Sequence, residues 1–230
     1  MAGIVLLSGG LDSTVALALF LEREGSVQMA LTFAYGQRAA QKEIAAARRI
    51  AAHYGLAHRV IDLPFLQEQT RTALVNREAD LPRLDFAELD DLGHAQQSAH
   101  SVWVPNRNGL FLNVAAVFAE NLGEPCSLIT GFNREEAATF ADNSEEFMEA
   151  INRSLAYSTL EKVTVVSPTS HLTKAEIVRE GLRLGVPLRY VWSCYEDGER
   201  LCGVCESCRR LKRALLVHDV RAVVEEIFER

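Results

Sequence analysis

Short apolar runs alternate with longer amphipathic stretches along most of this chain. The short runs have the length and composition of buried parallel strands, and they fall at residues 4–7, 27–33, 60–63, 127–130 and 163–166. Apolar positions at helical spacing mark the longer stretches, which are residues 14–24, 44–54, 107–122, 143–155 and 173–184. This alternation predicts an α/β fold, with a doubly wound, mostly parallel sheet covered by helices on both faces.

Two parts of the chain depart from this alternation. Residues 63–100 contain two prolines, several charges and no clean periodicity, and we expect an irregular insertion of mixed helix and loop there. Residues 133–142 follow the fourth predicted strand and are interpreted as a polar loop, at the end of the sheet where ligands bind in such folds. The predicted organisation is a nucleotide-binding domain over residues 1–190 and a small helical, zinc-binding C-terminal region over residues 191–230.

Composition narrows the classes of function. The 230 residues carry a formal charge of −7, with 31 acidic against 24 basic side chains, which argues against broad electrostatic binding of nucleic acid. The longest fully apolar run, residues 15–21, is much shorter than the roughly 20 residues that a membrane-spanning helix needs. No signal peptide is apparent. We therefore expect a cytoplasmic protein with no membrane and no nucleic-acid partner.

A glycine-rich loop follows the first predicted strand and precedes the first helix. Glycines let the backbone approach an anion, and successive N–H groups at a helix start can solvate phosphate. The loop lacks both the P-loop lysine and the three-glycine dinucleotide pattern. A plainer interpretation is a tight turn in which Asp12 or Ser13 caps the helix. The predicted nucleotide contacts are Leu7, Ser8, Gly9, Gly10, Leu11, Asp12, Ser13, Thr14, Val15, Ala16 and Leu17.

Four of the five cysteines lie within fifteen residues near the C-terminus. Cys194, Cys202, Cys205 and Cys208 have the spacing C-x7-C-x2-C-x2-C, and four thiolates can close a tetrahedral zinc site. Because such a site has no open position, the metal would be structural. An iron–sulfur cluster and an unliganded redox set are the competing interpretations. Cys126 precedes an apolar run and is interpreted as a small buried hydrophobic residue.

The loop resembles that of the ATP-pyrophosphatase superfamily, whose members split ATP into AMP and pyrophosphate. With four further motifs, the chain resembles the 7-cyano-7-deazaguanine synthase family over nearly its whole length. These motifs are FAYGQR at residues 33–38, VPNRN at 104–108, LTKAEIV at 172–178 and WSCY at 192–195. The resemblance implies that ATP adenylates 7-carboxy-7-deazaguanine, that free ammonia then forms an amide, and that a second ATP activates the amide for conversion to the nitrile.

The resemblance and the charge logic of this reaction also assign roles to residues. Asp12, Ser13, Arg107 and Lys174 are the candidate catalytic residues, Asp12 is a candidate ligand for Mg²⁺, and the expected assembly is a homodimer. Glu135, Glu136 or Asp142 could accept N–H bonds from the amino-pyrimidinone edge of a deazaguanine, although exposed carboxylates are often only solvated. The full set of candidate substrate contacts is Tyr35, Gln37, Arg107, Asn108, Asn133, Glu135, Glu136 and Asp142.

Three alternative functions use the same loop. A tRNA-modifying sulfurtransferase or ligase would share the adenylation step but would normally need an RNA-binding extension and a sulfur-handling cysteine. A second alternative attaches a deazaguanine to a protein partner. A third is a nucleotide sensor, which would bind ATP without producing pyrophosphate.

Overall fold

A computed structural model of the protein describes residues 2–229. It contains five strands, which are β1 (Ala2–Leu6), β2 (Ser26–Ala34), β3 (Ala57–Asp62), β4 (Cys126–Ile129) and β5 (Val163–Val166). The helices are α1 (Leu11–Glu24), α2 (Ala40–His53), α3 (Phe65–Gln69), α4 (Leu92–Ser101), α5 (Arg107–Glu120), α6 (Arg134–Ala137), α7 (Glu145–Ser158), α8 (Lys174–Arg183), α9 (Glu206–Val217) and α10 (Arg221–Ile227). Short 3₁₀ turns lie at Glu88–Asp90, Ala141–Asn143 and Leu188–Tyr190.

The five strands form one sheet in the order β3-β2-β1-β4-β5, and all four pairings are parallel. The chain runs outward from β1 through β2 to β3, and then returns across the sheet to β4 on the other side of β1. This reversal creates a crevice beyond the carboxyl ends of β1 and β4, where open α/β sheets bind ligands. The predicted fold class is confirmed.

Alternate side chains of β1 separate the two faces of the sheet. Ile4 packs with Leu112 of α5 and Leu155 of α7 in one hydrophobic core. The next residue, Val5, packs with residues of α1 and α2 in another core, because successive strand side chains point to opposite faces. Buried apolar faces on both sides of the sheet explain why the strands read as continuous hydrophobic runs.

The C-terminal region shares a third core with the main body. Leu11 and Val15 of α1 pack there with Ile177 of α8, and Cys208 and Leu211 of α9 belong to the same buried cluster. The division of the chain at residue 190 stays a prediction. Within residues 2–229, no helix is both long enough and apolar enough to cross a membrane.

The segment after β4 differs from the predicted polar loop. Asn133 accepts a hydrogen bond from the Glu136 amide at 3.0 Å, and this cap begins the short helix α6. Helix α7 begins at Glu145, two residues after the start of the predicted stretch 143–155, because Ser144 caps it by accepting from the Phe147 amide at 3.1 Å. A four-residue helix is too short to show a period in the sequence.

The insertion contains α3 and α4 and docks on α9. Arg209 lies 2.5 Å from Asp85 and Arg213 lies 2.9 Å from Asp90, so two ion pairs join the surfaces. The Glu206 amide also donates to the Pro82 carbonyl at 3.1 Å. The insertion therefore closes over the C-terminal region instead of projecting into solvent.

Candidate active site

The glycine-rich loop forms a cradle between β1 and α1. Gly9 has a positive φ of 83°, and a Cβ atom there would lie 2.6 Å from the Glu43 carbonyl oxygen, so only glycine fits. The Ser8 and Ser13 hydroxyls lie 3.0 Å apart, and the Gly10 amide donates to the Ser8 hydroxyl at 3.2 Å. This arrangement holds the loop backbone in a tight turn that exposes polar groups to the crevice.

The start of α1 has no side-chain cap. Its N-cap is Gly10, so the interpretation that Asp12 or Ser13 caps the helix is wrong. Asp12 instead contacts a lysine, and the Ser13 hydroxyl accepts from the Ser8 amide at 3.3 Å. Helix starts carry free N–H groups and partial positive charge. The uncapped helix start and the loop amides together fit an anion such as phosphate.

Lys174 joins the loop to the segment after β4. Its ammonium lies 2.5 Å from Asp12 Oδ2 and 3.0 Å from Glu136 Oε1. The lysine is the first residue of α8, which begins with a capping box formed by Thr173 and Glu176. A cation at this end of a helix gains nothing from the helix dipole. The two carboxylates, rather than α8, therefore stabilise its charge.

The ionisation of these three groups follows from burial and their mutual charges. Burial opposes the charge of Lys174, but Asp12 and Glu136 raise its pKa well above the ordinary value. The pKa of Asp12 is raised to about 6, mainly because the group is buried. Lys174 lowers this pKa, whereas the negative charge of Glu136 raises it. Burial also disfavours the Glu136 carboxylate, but Lys174 holds the pKa of that group below its ordinary value. Asp12 is thus the member most sensitive to pH.

One oxygen of Asp12 is buried without a partner. Within residues 2–229, Asp12 Oδ1 makes no hydrogen bond, whereas Oδ2 contacts Lys174. A buried carboxylate oxygen left unpaired is costly. This unpartnered oxygen lies beside a loop suited to bind phosphate, and such a place fits a site for a hard cation.

The main cavity, of about 270 Å³, lies in the crevice beyond β1, β2 and β4. The loop forms one side of it, and Gly131 after β4 approaches the loop so closely that a Cβ atom there would clash with the Ser13 amide nitrogen. On the β2 side, the rings of Phe33 and Phe111 stack with centroids 4.1 Å apart. The main cavity therefore combines a loop suited to bind phosphate with a flat apolar wall.

A chain of hydrogen bonds fixes the polar groups on the β2 side. Gln37 accepts from the Tyr35 amide at 2.9 Å and donates both to the Phe33 carbonyl at 3.0 Å and to Glu43 at 2.8 Å. Arg107 donates to the Tyr35 hydroxyl at 3.2 Å. Burial raises the pKa of Glu43, whereas Gln37 lowers it. These contacts hold a carboxylate and a guanidinium in the main cavity before any ligand binds.

A second cavity, of about 180 Å³, adjoins the main one. Five residues line both cavities, namely Arg107, Glu136, Lys174, Tyr195 and Ser207. The loop residues Ser8, Gly10, Leu11, Asp12 and Ser13 line the main cavity and not the second. Lys174 therefore lies at the wall that the two cavities share.

The four C-terminal cysteines converge as their spacing predicts. Their sulfur atoms all lie within 4.8 Å of one another, and Cys202 Sγ is 3.9 Å from Cys208 Sγ. Zn–S bonds of about 2.3 Å in a tetrahedron place sulfur atoms about 3.8 Å apart. The amides of Glu196 and Cys205 donate to the sulfurs of Cys194 and Cys202, each at 3.4 Å. Donors of this kind stabilise thiolates, so the cluster fits a four-coordinate metal.

Comparison with known proteins places the chain in a family. The family model described as queuosine biosynthesis protein QueC matches residues 2–218. The chain belongs to this family.

Curated relatives agree over nearly the full length. The 7-cyano-7-deazaguanine synthase of Desulforudis audaxviator is 57% identical over 93% of this chain and 96% of the relative. That of Pelotomaculum thermopropionicum is 56% identical over the same shares. The protein of the same name from Methanosarcina mazei is 46% identical over 93% of each chain. The resemblance inferred from the separate motifs is confirmed.

Most of the candidate residues singled out in the sequence meet at the two cavities. Those lining the main cavity are Leu7, Ser8, Gly10, Leu11, Asp12, Ser13, Tyr35, Gln37, Arg107, Asn108, Glu136 and Lys174. Glu135 lines the second cavity. Gly9 shapes the turn from behind, and Thr14 donates to the Gly10 carbonyl at 2.6 Å. Val15, Ala16 and Leu17 are fully buried in the hydrophobic cores and line neither cavity.

Two candidate substrate contacts lie behind the cavities. Asn133 is fully buried, where it caps α6 and keeps an unpaired side-chain nitrogen. The backbone carbonyl of Asp142 accepts a hydrogen bond from the Asn108 side chain at 3.2 Å, and Asp142 lines neither cavity. Cys126 is fully buried, and burial raises the pKa of its thiol to about 11, as suits an unreactive core residue.

Several lining residues are not among the predicted site residues. Glu43, Trp192 and Ser193 line the main cavity, and Glu206 and Arg210 line the second. Glu43 could have been found, since it lies in the first turn of the helix that follows the FAYGQR motif. Glu206 lies between Cys205 and Cys208 of the cysteine cluster, so its position in the sequence suggests a place in that cluster. Only the folded chain shows that it borders a cavity.

Proposed function

We propose that this protein is an ATP-dependent carbon–nitrogen ligase that converts 7-carboxy-7-deazaguanine and ammonia into 7-cyano-7-deazaguanine. Full-length similarity to curated proteins of that name supports the product. The observation that carries the chemistry is the position of Lys174. It contacts Asp12 of the glycine-rich loop, and it borders both the main cavity and the second cavity. The names of the relatives do not favour the alternatives of tRNA modification or attachment to a protein.

ATP binds in the main cavity in this proposal. The loop amides and the hydroxyls of Ser8 and Ser13 hold the β- and γ-phosphates, which become pyrophosphate. Asp12 Oδ1, buried without a partner, ligates the Mg²⁺ ion that accompanies the phosphates. The stacked aromatic wall and the polar groups of Tyr35 and Gln37 receive the nucleoside end.

In the reaction, each of the two carboxylate oxygens leaves as part of one AMP molecule. A carboxylate oxygen attacks the α-phosphorus of ATP, and the bond to pyrophosphate breaks. Ammonia then attacks the carboxyl carbon, AMP leaves with the first oxygen, and the nitrogen loses a proton to give the amide. The amide oxygen attacks a second ATP in the same way. Loss of the second AMP and of the remaining two nitrogen protons leaves the nitrile.

The cationic side chains at the wall shared by the two cavities can offset the negative charges that the reaction brings together. Lys174 and Arg107 neutralise the substrate carboxylate and the α-phosphate as they approach, and their charges are fixed before the reaction. Asn108 and Glu136 border the same space. Glu135 in the second cavity and Asp142 behind it are the remaining acidic candidates for substrate recognition. Asn133 supports them by capping α6.

A zinc ion held by Cys194, Cys202, Cys205 and Cys208 completes the proposed site. Four thiolates close the coordination shell, so the metal has a structural role and activates no water. A cytoplasmic location is consistent with the free cysteines, since reducing compartments keep thiols available for metal. We also propose a homodimer, for which the highly exposed Tyr157 and Leu160 at the end of α7 are candidate contacts.

A turnover assay tests the proposed function. Purified protein with ATP, Mg²⁺, ammonium and 7-carboxy-7-deazaguanine should release pyrophosphate and form the nitrile, identified by its mass. The variant Ser13→Ala should lose most of this activity, whereas Ser154→Ala on the exposed face of α7 should keep it. ATP binding without pyrophosphate release would instead indicate a nucleotide sensor.

A further inference from the structure

The second cavity is assembled from parts that are distant along the chain. Leu74 and Val102 come from the insertion and the segment after it, Phe140 follows α6, and Arg210 belongs to α9. Leu74 and Val102 are buried, and the ring of Phe140 stacks near Trp103 with centroids 6.1 Å apart. Apolar walls with a few fixed polar groups are typical of small-molecule sites.

Charged groups are distributed unevenly along this cavity. Lys174, Arg107 and Glu136 lie on the wall shared with the main cavity, so two cations face one carboxylate there, whereas Glu135, Glu206 and Arg210 line only the second cavity. A bound acid would place its carboxylate at the shared wall, where two cations lie. Its other end would then meet the carboxylates of α6 and α9.

Of those two carboxylates, Glu206 already has hydrogen-bond partners at both oxygens. Arg210 donates to Glu206 Oε1 through Nε at 2.9 Å and Nη2 at 2.8 Å, and Ser98 donates to the other oxygen. The residue is 7% exposed, so these bonds compensate a buried charge. Glu206 therefore anchors Arg210 and has little capacity left for a ligand.

Glu135 keeps free capacity. Its Oε1 accepts from the Lys174 amide at 2.7 Å, but its Oε2 lies 3.6 Å from Arg210, beyond hydrogen-bond distance. Each carboxylate oxygen can accept two hydrogen bonds. The Lys174 amide and Arg210 thus hold Glu135 in place, and leave both oxygens able to accept from a ligand.

We propose that the second cavity binds the heteroaromatic acid, with its carboxylate at Lys174 and Arg107 and with two adjacent ring-edge N–H groups on Glu135. In this arrangement Glu135 determines specificity and Arg210 is a positioning residue. The inference rests on the proposed function and deepens it, because it assigns the acid to a compartment apart from the loop. The reacting carboxylate then meets ATP at the shared wall.

A substrate pair tests the role of Glu135. The parent acid carries the exocyclic 2-amino group, and the second compound is the same acid without it. The wild-type protein should prefer the parent by about 10- to 100-fold in kcat/KM, the value of a charged hydrogen bond. In Glu135→Gln this ratio should fall towards 1, because the amide accepts at only one oxygen. Glutamine still accepts from the Lys174 amide, so the fold should persist.

Controls separate recognition from damage to the fold. The ATP dissociation constant should be unchanged in Glu135→Gln, because the residue does not line the main cavity. Glu145→Gln, on the first turn of α7, should keep the wild-type ratio. Arg210→Gln should lower the ratio by a smaller factor than Glu135→Gln, since Glu135 loses only its positioning partner.

The outcomes distinguish this inference from the function on which it rests. An unchanged ratio in Glu135→Gln, in a protein that still turns over, would overturn the inference alone. Competition between the acid and ATP for one site in equilibrium binding would also overturn it. Absence of any binding of the acid to wild-type protein would remove the proposed function, and the inference with it.

Discussion

The two cavities are built in opposite ways. One short segment, residues 8–13, contributes the loop wall of the main cavity through Ser8 and residues 10–13, and its shape follows from one strand, one glycine turn and one helix. The second cavity instead collects residues between Leu74 and Arg210 from the insertion, α6 and α9. In the proposed function, local structure therefore provides the chemistry of ATP cleavage, and the long-range assembly provides the choice of acid.

This difference predicts different consequences for mutations. A change at the loop or at Lys174 should reduce the reaction with any acid, because it acts on phosphate charge. A change in the second cavity should alter which acid reacts. A change at the cysteine cluster should affect both cavities, since α9 provides Ser207 to both and Leu211 to the main one.

The largest effect is expected from Cys208→Ser. Cys208 lies in α9, and Cys205 directly precedes that helix, so loss of a metal from the cysteines should free the element that carries Glu206 and Arg210. Native protein should contain about one zinc per chain by metal analysis, and the variant should contain much less. We expect turnover to be abolished and the melting temperature to fall.

Cys126→Ala is the matched control for that variant. Cys126 is buried in β4, away from the other four cysteines, so its replacement should leave zinc content and turnover close to wild type. Iron with sulfide in the native protein would contradict the zinc assignment. Full activity in metal-free Cys208→Ser would show that α9 is held by its hydrophobic core alone.

The contrast between the cavities also explains what the sequence could predict. The strands, the glycine turn and the cysteine cluster are encoded over short spans, and the sequence predicts all three. The pairing of Asp12 with Lys174 spans 162 residues and has no periodic signal. The same holds for Glu135, Arg210 and Glu206, whose meeting depends on how α6 and α9 pack. The sequence predicts roles for Asp12, Lys174 and Glu135 from their residue types and motifs, but it does not predict which residues they contact, and it gives no role to Arg210 or Glu206.

A smaller but still large effect is expected from Lys174→Met. The methionine keeps most of the side-chain volume and removes the charge at the shared wall, which should lower kcat/KM by about 10²- to 10³-fold. Pyrophosphate release measures this loss with either acid of the substrate pair. Lys162→Met, at an exposed position beside β5, should retain wild-type activity. A loss that affects only one acid would place Lys174 in recognition instead of phosphate chemistry.

The smallest effect concerns the pH dependence of ATP binding. The pKa of Asp12 is raised to about 6, so its carboxylate is ionised above that pH and protonated below it. Mg²⁺ binds the ionised form, and about one tenth of that form remains at pH 5. Mg²⁺-dependent ATP affinity should therefore weaken as the pH falls through 6, by about tenfold for each further pH unit. Asp12→Asn should bind weakly at every pH and lack this slope, which separates Asp12 from Glu43, whose pKa is also raised in the main cavity. A slope that persists in Asp12→Asn would assign the titration to Glu43 instead.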